Sequence, residues 1–222
     1  MKRVTLFSGH YGSGKTNIAV NYALGLKKEG LKTLIADLDI VNPYFRTRDS
    51  EKALKDAGVE IVVSSYANTN VDVPALPEEM YRIIDDKQMH AVVDVGGDDR
   101  GALALGRLAP SLMAEDDYEM VFVMNFYRPL TRTADQLIGV LREVENASGM
   151  KVTALLNNSN LGQMTAVSDI AETDALAREV SEKTNLPLLG TTVREDLINE
   201  IKGKVVHPMP IRLHFRDEWA IY

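Results

Sequence analysis

One run of eight residues constrains this chain more than any other. Gly9-His10-Tyr11-Gly12-Ser13-Gly14-Lys15-Thr16 follows a β-rich segment, Val4-Thr5-Leu6-Phe7, and opens onto Ile18, Ala19, Tyr22, Ala23 and Leu26 at helical spacing. Glycines at 9, 12 and 14 allow positive φ and close backbone approach, so successive N–H groups can turn into one concavity. The helix that follows adds roughly half a positive charge at its N-terminus. The product is an anion cup. Lys15 is spaced to reach the outer phosphates as a point charge, and Thr16 to offer its hydroxyl to Mg²⁺. Gly9, Tyr11, Gly12, Ser13, Gly14, Lys15, Thr16 and Asn17 form the candidate phosphate-binding set.

The remainder alternates short apolar runs with longer amphipathic ones. Strands are expected over 4–7, 33–36, 59–63, 91–95, 120–125, 152–156 and 188–189. Helices are expected over 17–28, 45–57, 78–86, 130–145 and 170–183. From Lys204 onward, with Pro208 and Pro210, no element is clear. Strands separated by helices predict an α/β fold: a three-layer sandwich with a mainly parallel central sheet, in one domain over 1–222.

Composition removes several function classes. The chain has no cysteine, which excludes disulfides, thiolate zinc sites and cysteine nucleophiles. A formal charge of −7 gives no global attraction to nucleic acid or anionic lipid. The apolar runs are strand-sized, and the first ends at Phe7, so neither a spanning helix nor a secretory leader is expected. The end of the chain lacks a basic amphipathic pattern. A soluble cytoplasmic protein is the expectation. His90, His207 and His214 show no metal-ligand spacing.

Two further motifs fall at strand ends. Asp37-Leu38-Asp39 closes the second strand, and alternation puts both carboxylates on one side of it. One could hold a magnesium-bound water and the other orient an attacking water. Val92-Val93-Asp94-Val95-Gly96-Gly97 delivers an aspartate at the end of an apolar strand. Asp94 is there a candidate for Mg²⁺, and Gly97 a candidate to offer its N–H to a γ-phosphate. Thr16, Asp37 and Asp94 are thus the candidate metal set.

The order GHYGSGKT, LIADLDIVN, VVDVGGD and LLNN resembles the MinD/ParA-type P-loop ATPases of the SIMIBI class, within the CobQ/CobB/MinD/ParA nucleotide-binding family. The likeness runs from Val4 to about Asp196. It implies a P-loop NTPase fold, ATP and Mg²⁺ as cofactors, and hydrolysis that switches the surface offered to a protein partner. It implies that Asp39 positions the hydrolytic water, that Asp37 lies near magnesium, and that Lys15 and Asp39 carry catalysis. It maps the adenine-contacting asparagine onto Asn157, and 190–196 onto the loop that packs near the base. Tyr127-Arg128-Pro129 matches a Pro-containing turn of the family. Guanine selectivity of the N-K-x-D kind needs an Asp at 160, where this chain has Asn160, so ATP is preferred.

The resemblance departs at His10. The family carries there a lysine that reaches a partner's nucleotide, and an imidazole is shorter and titrates near neutrality. A nucleotide-dependent homodimer would need another cation, with Arg46, Arg48 and Arg100 as candidates. Two other readings compete with the switch: a small-molecule kinase or dethiobiotin-synthetase-like ligase, and a module that only binds nucleotide.

Overall fold

The computed structural model describes residues 1–38, 48–63, 76–97 and 99–214, with the side chains of 48, 49, 99 and 100 left aside. In chain order, β1 (Val4–Ser8), α1 (Lys15–Lys28), β2 (Thr33–Asp37), α2 (Arg48–Ala57) and β3 (Glu60–Val63) come first. A 3-10 turn (Glu78–Tyr81), α3 (Arg82–Asp85), β4 (His90–Asp94), α4 (Asp99–Gly106) and α5 (Ala109–Glu115) follow. The chain then forms β5 (Tyr118–Met124), α6 (Ala134–Ser148), β6 (Ala154–Asn157), α7 (Val167–Thr184), β7 (Leu188–Arg194) and β8 (Pro208–Ile211). The eight strands make one sheet in the order β3-β2-β4-β1-β5-β6-β7-β8, and every pairing is parallel. This is the α/β three-layer architecture of P-loop NTPases.

Both faces of the sheet are covered, and strand alternation decides which residue meets which layer. Val4 and Leu6, Leu34 and Ala36, Ala91 and Val93, and Met120 and Phe122 point to the layer holding Leu105, Leu112, Leu137 and Leu141. Phe7, Ile35, Val92 and Val121 point the other way, onto Ile18, Ala19, Ala23 and Leu26 of α1. α1 therefore lies directly behind the central strands, and the start of that helix is fixed at their carboxyl edge.

Six elements differ from the sequence expectation. The segment 78–86 is a 3-10 turn running into a single short helix. The expected helix at 130–145 is shifted to Ala134–Ser148, because Thr133 caps it by accepting from the Gln136 N–H at 3.3 Å. Residues 188–189 prove to be the start of a strand that continues to Arg194. That strand is needed because β8 pairs with it, although Pro208 and Pro210 lie within β8. Prolines are tolerated there because β8 is an edge strand with only one neighbour. The helices α4 and α5 have no counterpart in the expected elements. No helix among the described residues is long and apolar enough to cross a membrane.

At the amino end of the central strand β1, Arg3 is buried and its guanidinium is fully used. It donates to Glu115 through Nε and Nη2 at 2.5 and 2.7 Å, and to the carbonyls of Ile83 and Met89 at 3.0 and 3.2 Å. These bonds hold the Glu115 carboxyl down to about 2, with Lys87 assisting against the cost of burial. The folded state thus keeps Glu115 charged far below 4.5, its ordinary value. The stabilisation is present in full above that value and is lost as pH falls through about 2. Glu115→Gln should cost about 2–3 kcal/mol at pH 7. In urea melts, the gap to the unaltered protein should narrow as pH drops from 5 toward 2.5; a constant gap would contradict the assignment.

Candidate functional site

The chain leaves β1 for β2 and β3 on one side, returns to β4, and then crosses β1 to β5 on the other. The strand order reverses beside β1, and crevices at such reversals open at the carboxyl ends of the strands. The 9–16 loop occupies that place. Gly9, Gly12 and Gly14 have φ of 143°, 73° and 88°, all left-handed-side values that side chains avoid. Gly9 also packs so closely that a Cβ there would lie 2.5 Å from the Val123 carbonyl oxygen. The Ser13 N–H closes the loop by donating to the His10 carbonyl at 3.1 Å. The buried Lys15 ammonium donates to that same carbonyl at 3.2 Å.

Below the loop lie two carboxylates. Asp37 and Asp94 are partners in register on the adjacent strands β2 and β4, and both are buried. Their strand positions match those of Ile35 and Val92, so both face α1. The Thr16 hydroxyl, in the first turn of α1, donates to Asp94 Oδ2 at 2.5 Å. Two like charges side by side out of water favour a cation between or beside them. The donor set, two carboxylates and a hydroxyl, is all oxygen and suits Mg²⁺. Among the described residues no cluster of three or more acidic or histidine side chains forms a metal cage. Mg²⁺ does not need one, since it keeps waters and takes phosphate oxygens. Gly97 approaches from the third strand end: a Cβ there would stand 2.8 Å from Tyr11 Cα and 2.9 Å from Lys15 Nζ. The glycine that ends the second motif thus touches the lysine of the first.

His10 is bonded within the loop. Its Nδ1 accepts from the Tyr11 N–H at 2.8 Å. Burial, then the charges of Lys15 and Arg128, push the imidazole below 6.5, against the opposing pull of Glu143. These effects favour the neutral imidazole. Tyr11 itself is exposed, so only its backbone belongs to the cup. The Asn17 side chain is bound elsewhere: it donates to the Arg212 carbonyl at 2.9 Å and accepts from the His214 N–H at 3.0 Å. Its backbone, in the first turn of α1, is what remains for an anion. Asp39 and Arg46 lie outside the described residues, as do the side chains of Arg48 and Arg100.

The two asparagines of the pair have different partners. Asn157 is fully buried, and its Nδ2 donates to Thr173 and Thr191 at 3.2 and 3.4 Å. Its Oδ1 accepts from the Ser159 N–H and hydroxyl at 3.2 and 2.7 Å. Both donors and both lone pairs are used, none of them on the 9–16 loop. Asn158 does bond to that loop. Its Nδ2 donates to the Ser13 carbonyl at 2.7 Å, and its Oδ1 accepts from Thr192 at 2.5 Å. Asn158, Asn160, Thr192 and Arg194 line a small cleft at the ends of β6 and β7.

One further contact had no motif to announce it. The Arg128 guanidinium lies over Gly12, with Nε donating to the Gly12 carbonyl at 2.7 Å. A Cβ at Gly12 would come within 3.3 Å of that nitrogen.

No protein-family model matches the chain, and no curated protein matches it. Solved structures do. The cell division protein FtsY from Thermotoga maritima superposes with a TM-score of 0.60 at 14% identity, covering 86% of this chain and 61% of that one. FtsY from Mycoplasma mycoides gives 0.57 at 17%, covering 87% and 60%. The signal recognition particle receptor FtsY from Elizabethkingia anophelis in complex with GDP gives 0.52 at 16%, covering 87% and 58%. The chain therefore spans about three fifths of these proteins, and at such identities the likeness is one of fold.

The contact between Gly97 and Lys15 yields a direct test. Gly97→Ala must displace either the ammonium or the Tyr11 backbone. Its affinity for inorganic pyrophosphate should fall at least about tenfold, with Tm within a few degrees of the unaltered protein. Unchanged affinity, measured by calorimetry, would mean that the second motif does not reach the loop.

Proposed function

We propose that this chain is a nucleoside-triphosphate switch of MinD/ParA type that binds ATP with Mg²⁺, hydrolyses it slowly, and presents a nucleotide-dependent surface to a protein partner. The observation that carries this reading is the convergence of Lys15, Thr16, Asp94 and Gly97 at one edge of the sheet. Among the fold neighbours, the FtsY solved with GDP supports a nucleotide as the ligand class.

The roles follow from placement. Backbone N–H groups of 12–16 cradle the phosphates, and Lys15 neutralises the outer ones. Thr16 and Asp94 would hold Mg²⁺, with Asp37 beside them; the ion supplies charge neutralisation on the phosphates. Gly97 offers its N–H to the γ-phosphate, so the segment it ends senses whether that group is present. Asp39 orients the attacking water. Asn158, rather than Asn157, reads the base, because its amide stands at the loop. Counting three residues on from Asn158 gives Leu161, and from Asn157 gives Asn160. Neither is the aspartate that selects guanine, which keeps ATP as the preferred nucleotide. With His10 in place of the family's trans-acting lysine, a nucleotide-dependent homodimer would rest on another cation. No observation favours transfer to a small-molecule acceptor.

Calorimetry with ATP and with GTP, each with Mg²⁺, should give tighter binding of ATP. Lys15→Ala should lose binding by about 100-fold or more. Asp39→Ala should keep ATP affinity and lose turnover. Heat from neither nucleotide would end this reading, and tighter GTP would overturn its base assignment.

A further inference from the structure

We propose that Arg128 is a second phosphate-contacting cation of this site, beside Lys15, supplied within the same chain where the loop carries His10 in place of a lysine. The inference rests on the nucleotide reading above and names a residue that neither the motifs nor the resemblance assigns to phosphate.

Three observations carry it. First, the position: Arg128 Nε donates to the Gly12 carbonyl at 2.7 Å, and the guanidinium covers the face of Gly12 that a Cβ would fill. Its charge is felt at His10, two residues earlier in the loop. Second, among the described residues six arginines are committed to carboxylates while Arg107, Arg128 and Arg132 are not, and of these three only Arg128 is bonded to the loop. The six are Arg3, Arg82, Arg142, Arg178, Arg194 and Arg212. Arg128 pairs with none among the described residues, and its two terminal nitrogens have no acceptor there. A guanidinium has five donors in a rigid fork, and this one spends a single donor on the loop. Third, the turn that presents it is braced. The Tyr127 N–H donates to Asn125 Oδ1 at 3.0 Å, the Tyr127 hydroxyl to the Asp169 carbonyl at 2.8 Å, and the Thr131 hydroxyl to the Asn125 carbonyl at 2.6 Å. A half-buried arginine on such a base costs little entropy to aim.

The remaining donors suit the outer oxygens of a triphosphate held in the loop. In hydrolysis, the water oxygen bonds to the γ-phosphorus while the bond to the β–γ bridging oxygen breaks. The diphosphate leaves with that electron pair, and the water proton passes to phosphate and solvent. A guanidinium at the rim offsets the charge that accumulates on the departing oxygen, an effect of the kind arginines supply in other phosphoryl-transfer sites.

The test compares Arg128→Ala and Arg128→Lys with the unaltered protein, using a non-hydrolysable ATP analogue, ADP and ATP turnover, all with Mg²⁺. Arg128→Ala should bind the analogue about 10- to 100-fold more weakly, bind ADP within about threefold, and turn over at least about 100-fold more slowly. Millimolar guanidinium should restore part of that turnover. Arg128→Lys should recover analogue affinity to within about tenfold while staying slow, since a point charge lacks the fork. An equal loss for ADP and the analogue would assign Arg128 to bracing the loop and overturn the proposal, as would no loss for either. If the unaltered protein binds no nucleotide, the functional reading fails and this inference falls with it. If it binds and Arg128→Ala behaves identically, this inference alone fails.

Discussion

Two buried carboxylates set the terms for the rest of this molecule. Asp37 and Asp94 lie in register on neighbouring strands, facing the same helix. Their charge has to be met by something, and the fold brings what it has to that point. The Thr16 hydroxyl reaches Asp94 from the first turn of α1, which faces the pair with its positive dipole end. The loop can lie so close to the sheet only because glycine occupies 9, 12, 14 and 97, where side chains would collide or be strained. The apolar layers on both faces serve the same end, since they fix the start of α1 over the central strands.

Much of this was legible in the chain. The loop could be read because glycine spacing reports backbone conformation, which does not depend on distant contacts. The parallel sheet could be read because its strands are short, apolar and separated by helices. Asp94 and Gly97 could be placed because an apolar strand ending in Asp leaves little freedom of register.

What could not be read depends on tertiary facts. Which of Asn157 and Asn158 faces the loop is a matter of one residue's register, and both are equally at home at a strand end. β8 was hidden because its prolines argue against a strand, and only its edge position makes them acceptable. α4 and α5 are short, α4 is rich in Ala and Gly, and they announce no clear face. Arg128 sits in an exposed Pro-containing turn, and nothing local tells that its partner is a loop 116 residues earlier. Sequence patterns thus give the cup, while the surroundings of the cup come from packing.

The most direct measurement is a crystal structure with a non-hydrolysable ATP analogue and Mg²⁺. The account predicts phosphate oxygens within hydrogen-bond distance of the backbone N–H groups of 12–16, with Thr16 and Asp94 on the metal side and Asn158 toward the base. Phosphates bound elsewhere, with the loop empty and Thr16 still held by Asp94, would contradict it.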